Sequence, residues 1–316
     1  MIRGYIIVVF FFSEFISAQD IHYSQFDKTK SIVNPSLIAN QKKDYEIQLQ
    51  RRSQWSSVTV PFNTFSFSFN AKHIYKRFSL GGTILNDMAG DSRFLTNGMS
   101  LSLVNSFITN ENFFAFGFQT ALYQRSINYD KLIFLENENI KNKSFLFFDF
   151  GLGASNYKRI NKSSYLLMGA SIYHLNKPKQ SFLSNDDIFL HPKYIFHLNY
   201  SNRFTSTIDI LPAVYFSSQN QDNEFIIGSG IKHKLNQSFY LKSGVYTRIE
   251  DAVIVTLGFQ TLNLEAIISY DINTSSLANA SNSMGGLEFS LTYAWNIIKE
   301  KKEKKELKEK QCPRYL

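Results

Sequence analysis

Between residues 44 and 296 the chain alternates apolar and polar residues with a period of two, the mark of β-strands. In Thr64–Asn70, Phe65, Phe67 and Phe69 fall on one face, and Thr64, Ser66, Ser68 and Asn70 on the other. Leu146, Phe148, Phe150 and Leu152 alternate with Phe147, Asp149, Gly151 and Gly153. Val253, Val255, Leu257 and Phe259 alternate with Ile254, Thr256, Gly258 and Gln260, and Leu287, Phe289, Leu291 and Tyr293 with Glu288, Ser290, Thr292 and Ala294. The polar face carries Ser, Thr, Asn, Gln and Gly with isolated charges (Asp149, Lys232, Lys242, Glu265, Glu288), not the dense Lys and Glu of a sheet facing bulk water. Aromatics and Leu on the other face suit lipid. The pattern predicts an all-β protein, a closed antiparallel transmembrane β-barrel that is apolar outside and polar inside. The lumen charges are expected to pair with one another and fill the interior.

The alternation divides into about 14 strands: 44–51, 63–71, 77–85, 98–108, 113–125, 145–157, 164–174, 193–201, 204–212, 224–234, 238–247, 251–260, 263–271 and 285–295. Every second connection is short, as in Thr109–Asn112, Asn202–Arg203 and Thr261–Leu262. The others are mostly long: Arg52–Phe62, Asn86–Asn97, Ser126–Ser144, Leu175–Pro192, Pro212–Asn223 and Ile272–Met284. Tight periplasmic turns and long outer loops produce this asymmetry in outer-membrane barrels. An even strand count then places both termini on the periplasmic side.

The ends of the chain read differently. Residues 1–18, with Arg3, an apolar run and Ser17-Ala18, fit a secretory signal peptide too short to span a bilayer. Residues 19–43 are expected to form a short periplasmic segment, residues 44–296 the barrel, and residues 297–316 a charged periplasmic tail. The run Lys299–Lys310 holds seven Lys and four Glu, so part of the net charge of +8 sits there. The rest is scattered, which excludes the concentrated basic stripe of a nucleic-acid binder. One Cys excludes a disulfide scaffold and a four-ligand zinc site. None of the six His has the spacing of a metal pair, and neither a nucleophile elbow nor a phosphate loop is present. The expectation is a protein without catalytic residues, metal or cofactor.

A set of short motifs runs in order along the chain: Ser24-Gln25-Phe26; Val33-Asn34-Pro35-Ser36-Leu37; Arg51-Arg52-Ser53-Gln54-Trp55; Pro61-Phe62-Asn63-Thr64; Asp87-Met88-Ala89-Gly90; Tyr173-His174-Leu175-Asn176-Lys177-Pro178; Gly244-Val245-Tyr246-Thr247-Arg248; Gly285-Gly286-Leu287-Glu288-Phe289; and Cys312-Pro313-Arg314-Tyr315. Together they resemble the PorP/SprF family of outer-membrane proteins of the type IX secretion system in Bacteroidota. Ser36 stands where that family usually has Ala, and the lysine-glutamate tail is longer than typical. The resemblance implies a non-enzymatic component of protein secretion and gliding motility, integral to the outer membrane. Its implied partners are a secreted cell-surface adhesin with a C-terminal secretion signal and other parts of the machine in the periplasm or outer membrane. An outer-membrane diffusion channel or hydrophobic-solute transporter is the alternative.

Arg51, Arg52, Trp55 and Phe62 are candidate partner-binding residues, because Arg and aromatics dominate interface energetics. Trp55 equally fits the aromatic girdle of any barrel. At the other end, Cys312, Pro313, Arg314 and Tyr315 form a candidate docking element on a charged spacer.

Overall fold

The computed structural model describes residues 20–54, 60–90, 93–110, 112–128, 144–182, 188–275 and 284–297. Fourteen strands follow one another: β1 (Tyr45–Gln54), β2 (Phe62–Tyr75), β3 (Phe78–Ala89), β4 (Phe94–Thr109), β5 (Asn112–Ser126), β6 (Ser144–Arg159), β7 (Ser164–Tyr173), β8 (Lys193–Arg203), β9 (Ile208–Gln219), β10 (Asp222–Lys234), β11 (Tyr240–Arg248), β12 (Ala252–Gln260), β13 (Leu264–Asn273) and β14 (Met284–Trp295). Each pairs antiparallel with its sequence neighbours, and β1 closes on β14 in a register running from Tyr45↔Trp295 to Gln54↔Gly286. The result is a closed barrel with no free sheet edge, which lets a sheet satisfy its backbone in lipid. No helix among the described residues is long and apolar enough to cross a membrane.

The alternation read from sequence sets the two faces. Leu146 and Phe148 are 65% and 61% exposed on the outside, while Phe147 and Asp149 between them are 6% and 2% exposed. Phe65 and Phe69 point out, and Thr64, Ser66 and Asn70 point in. At one rim the outer face carries stacked aromatics, with Tyr45 and Trp295 at 5.5 Å, Tyr293 and Trp295 at 5.6 Å, and Phe107 and Phe114 at 5.4 Å. These amphipathic rings suit the membrane-water boundary.

All fourteen expected strands are present, with two differences. β9 begins and ends later than expected, so β9 and β10 meet in a tight turn at residues 220–221 rather than across a long Pro212–Asn223 loop. Pro212 sits inside β9, opposite Ser229. The long Asn86–Asn97 connection likewise contracts to residues 90–93. Polar residues such as Ser217 and Gln219 face the lumen here, and a wet interior lets a strand continue through composition that reads as loop.

The larger difference is at the start of the chain. Residues 20–41 lie inside the barrel, not beside it. Asp20 sits at the long-loop rim against His174 and Arg125. The chain then descends the lumen through a short helix, α1 (Lys30–Val33), and a 3-10 helix (Pro35–Asn40), and reaches the opposite rim where β1 starts. The expected separate segment before the barrel is therefore, over residues 20–41, part of the barrel's filling. Asp20 and the end of β14 lie at opposite rims.

Candidate functional site

The lumen is where the polar side chains of the sheet meet the N-terminal segment, and two seats hold that segment. The first is charged. Glu288 of β14, fully buried, accepts the backbone N–H of Ser24 at 2.8 Å and of Gln25 at 3.1 Å. The same carboxylate accepts Gln50 Nε2 at 2.5 Å and pairs with Arg52 Nη1 at 3.0 Å. Asp271 of β13 accepts the Ser24 hydroxyl at 2.6 Å and pairs with Arg52 at 2.9 Å and Arg248 at 3.3 Å. Both arginines also donate to the Ser24 hydroxyl oxygen. Arg248 further pairs with Glu224 at 2.9 Å and Asp251 at 2.9 Å. Charges this deep are tolerated because each is paired and hydrogen-bonded. Gln25 binds Ser269 at 3.0 Å and Ser290 at 2.6 Å, and the Phe26 ring lies 5.1 Å from that of Tyr215. Every side chain of Ser24-Gln25-Phe26 is thus used in docking the segment.

The second seat is small and neutral. Asn34, fully buried, donates through Nδ2 to the carbonyls of Ala154 at 3.0 Å and Ala170 at 3.1 Å, and lies 3.1 Å from His197 Nε2. Its Oδ1 accepts the N–H of Ser36 at 3.0 Å and the hydroxyl of Ser36 at 2.7 Å. Pro35 stiffens the first position of the 3-10 turn. The barrel wall is cut away to receive it. A Cβ on Gly117 would come within 2.6 Å of the Ser36 nitrogen, and one on Gly169 within 2.6 Å of His197 Nε2. A Cβ on Gly153 would collide with Asn34. Ile38 and Ala39 continue the contact against Val104 and Ala115.

Between and beyond these seats the segment is clasped by ion pairs. Lys28 bridges Asp27 at 2.9 Å and Glu265 at 2.6 Å, and Lys242 reaches Glu265 at 3.1 Å. Lys30 pairs with Glu46 at 2.5 Å. At the long-loop rim His174 lies 2.5 Å from Asp20 and 3.0 Å from Asp149. Burial opposes a charge on His174, but the Asp20 and Asp149 carboxylates outweigh it and push its pKa up to about 9. Cavities remain toward both ends: 580 and 350 Å³ toward the short-turn rim and 310 Å³ toward the long-loop rim. Among the described residues no cluster of His, Cys, Asp and Glu could hold a metal ion.

The residues singled out from sequence separate. Arg52, expected at the surface as a partner anchor, is 2% exposed and belongs to the charged seat, because the two-residue alternation turns it inward beside Glu288. Arg51 points outward between Phe65 and Phe289 near the rim end of β1. Phe62 begins β2 and is half-buried. Trp55 and Cys312, Pro313, Arg314 and Tyr315 lie outside the described residues. Of the charges read as lumenal, Asp149, Lys242, Glu265 and Glu288 are paired, while Lys232 instead stacks over the Tyr240 ring at 4.2 Å. Sequence reasoning missed the lumenal roles of Ser24, Asn34, Asp271 and Arg248. For Ser24 and Asn34 the available signal was the Ser-Gln-Phe and Asn-Pro motifs in a stretch with no strand period.

The barrel is similar in fold to the toluene transporter TbuX of Ralstonia pickettii (TM-score 0.53, 9% identity, covering 84% of this chain and 92% of that one). It is similar also to a deltaS2 mutant of the monoaromatic hydrocarbon channel TodX, a protein of Pseudomonas putida (TM-score 0.51, 9% identity, 84% and 93% covered). At such identity the likeness carries the fold alone. No curated protein matches the chain in a sequence comparison. The sequence profile of the type IX secretion system membrane proteins PorP/SprF matches residues 16–293, a span that takes in both seats and every strand but the last residues of β14. The chain is therefore a member of the PorP/SprF family of type IX secretion system membrane proteins.

Proposed function

We propose that this protein is a closed, non-enzymatic outer-membrane component of type IX secretion and gliding, which recognises or anchors a secreted cell-surface adhesin or links it to the periplasmic machine. The family supports the secretion role. The observation that carries the rest is the occupied lumen: a segment running from rim to rim, held by the Glu288–Arg52–Asp271 network, leaves the wall, loops and rims as working surfaces. In this reading the long loops face outward and the short turns face the periplasm. The tail after β14 then lies on the periplasmic side, where Cys312, Pro313, Arg314 and Tyr315 serve as a docking element. Arg51 and Phe62, near the opposite rim, are candidate contacts for cargo, and so is Trp55, which follows β1 in the sequence.

The alternative, a diffusion channel or hydrophobic-solute transporter, draws on what the similar barrels are named for, but the buried ion network stands in the path. Two measurements test the reading. In planar bilayers the purified barrel should show no steady ion conductance, and porin-like steps would favour the channel. Affinity purification from native membranes should recover a large adhesin or a periplasmic machine component, and deletion of residues 299–316 should reduce that recovery while the barrel still inserts. Full recovery with the truncated chain would remove the tail from the mechanism.

A further inference from the structure

We propose that the short-turn mouth of the barrel is a binding site for an acidic peptide segment. The 580 and 350 Å³ cavities share Asp27, Lys42, Asp209, Lys232 and Lys242 as walls, so they form one continuous recess. Its volume falls in the range of about 300–1,000 Å³ usual for ligand sites.

The charges of this recess do not cancel. Its carboxylates each have a cation already: Asp27 and Glu265 with Lys28, Glu265 also with Lys242, Glu46 with Lys30, and Asp209 with Arg203 at 3.5 Å. That leaves Lys42, Lys43, Lys162 and Lys232 lining the recess with no carboxylate at ion-pair distance among the described residues; of these Lys43 is taken up by the Asn263 side-chain oxygen. Three ammonium groups around a concave, protein-walled space focus a positive potential. The other mouth differs in that its Arg52 and Arg248 are already saturated by Asp271, Glu288, Glu224 and Asp251.

The remaining wall says what kind of anion fits. Tyr157 and Tyr165, stacked at 5.5 Å, share this wall with Lys162. Tyrosine presents a rigid apolar plate and a hydroxyl at low entropic cost, a combination favoured in protein recognition. A bare inorganic anion would leave those plates unused. A peptide with spaced carboxylates engages the lysines through its side chains and the tyrosines through its backbone and methylenes.

The test uses the purified full-length barrel in detergent and a fluorescent hexaglutamate peptide followed by anisotropy. Binding is expected, weakened by added salt as the exposed charges are screened. The triple variant Lys42→Gln/Lys162→Gln/Lys232→Gln should bind on the order of tenfold more weakly or worse, a change of about 1.4 kcal/mol or more. Heat-modifiable gel mobility reports that the variant is folded. Should the triple variant misfold, Lys42→Gln and Lys162→Gln, both exposed, should each reduce binding on their own. Hexaserine should not bind. Absence of hexaglutamate binding, equal affinity in the lysine variants, or complete displacement by inorganic phosphate at matched charge would each overturn the assignment, the last in favour of a simple phosphate or headgroup site. The experiment needs no secretion machine, so its failure leaves the export reading standing.

Discussion

The charged seat and the glycine seat hold the same segment by opposite means. Around Ser24, β1, β11, β13 and β14 supply Arg52, Arg248, Asp271 and Glu288, whose charges are useful only in company. Around Asn34, β5, β6 and β7 supply Gly117, Gly153 and Gly169, whose value is the volume they lack. The charged seat is directional and intolerant of losing a member, since removing one partner strands the others in a low-dielectric interior. The glycine seat is steric and intolerant of gaining an atom. A barrel filled by a polar segment needs both, because the segment must be chosen over water and also fit.

Loss at the charged seat should be the most damaging change. Glu288→Ala removes the acceptor of Ser24, Gln25, Gln50 and Arg52 together and leaves Arg52 half-paired, at a cost of about 3–5 kcal/mol. Urea titration of the barrel in micelles, read by heat-modifiable mobility, should show a lower midpoint; an unchanged midpoint would mean the segment is held elsewhere. Gain at the glycine seat comes next. Gly117→Val presses on the Pro35–Ser36 backbone, which has no flexible side chain to move, and should cost about 1–3 kcal/mol. The barrel should still insert, but the segment should be displaced, giving conductance steps in planar bilayers. Gly82→Ala is the control, because a Cβ there meets only ordinary contact at 3.7 Å from Leu101.

A smaller effect is expected at the rim clasp. Because the folded state raises His174 from 6.5 to about 9, its contribution is complete below about pH 6.5 and is lost as the pH rises through about 9. Protease cleavage near Asp20 should therefore increase on alkaline titration in the native protein. His174→Gln should flatten that dependence, and an unaltered profile would assign it to another group. The mildest perturbation sharpens the topology. In a chain lacking Cys312, a tag placed ahead of Asp20 and a thiol at Lys177→Cys should be labelled from the same face of the membrane, since both positions lie at the long-loop rim. Labelling from opposite faces would contradict the threaded path.

The sequence by itself determined the barrel: its fourteen strands, its closure and which face of each strand meets lipid. Period-two alternation is a local property, and Phe65, Phe148 and Leu287 announce the outer face whatever their neighbours do. It also placed Glu288, Glu265, Lys242 and Asp149 inside, because a charge within an apolar alternation has only one face left to occupy. The polar second half of β9 was harder to read, since its lumenal Ser217 and Gln219 have the composition of a loop. Only the tertiary structure decided that residues 20–41 fill the lumen. That stretch has no strand period, so its partners could not be found along the chain: Ser24 meets Glu288 across 264 positions, and Asn34 meets His197 across 163. The same holds for Arg52. Its charge and its neighbours Arg51 and Trp55 read as a surface patch, and it became a buried anchor because closing β1 against β14 sets it beside a carboxylate that only the closed barrel brings near.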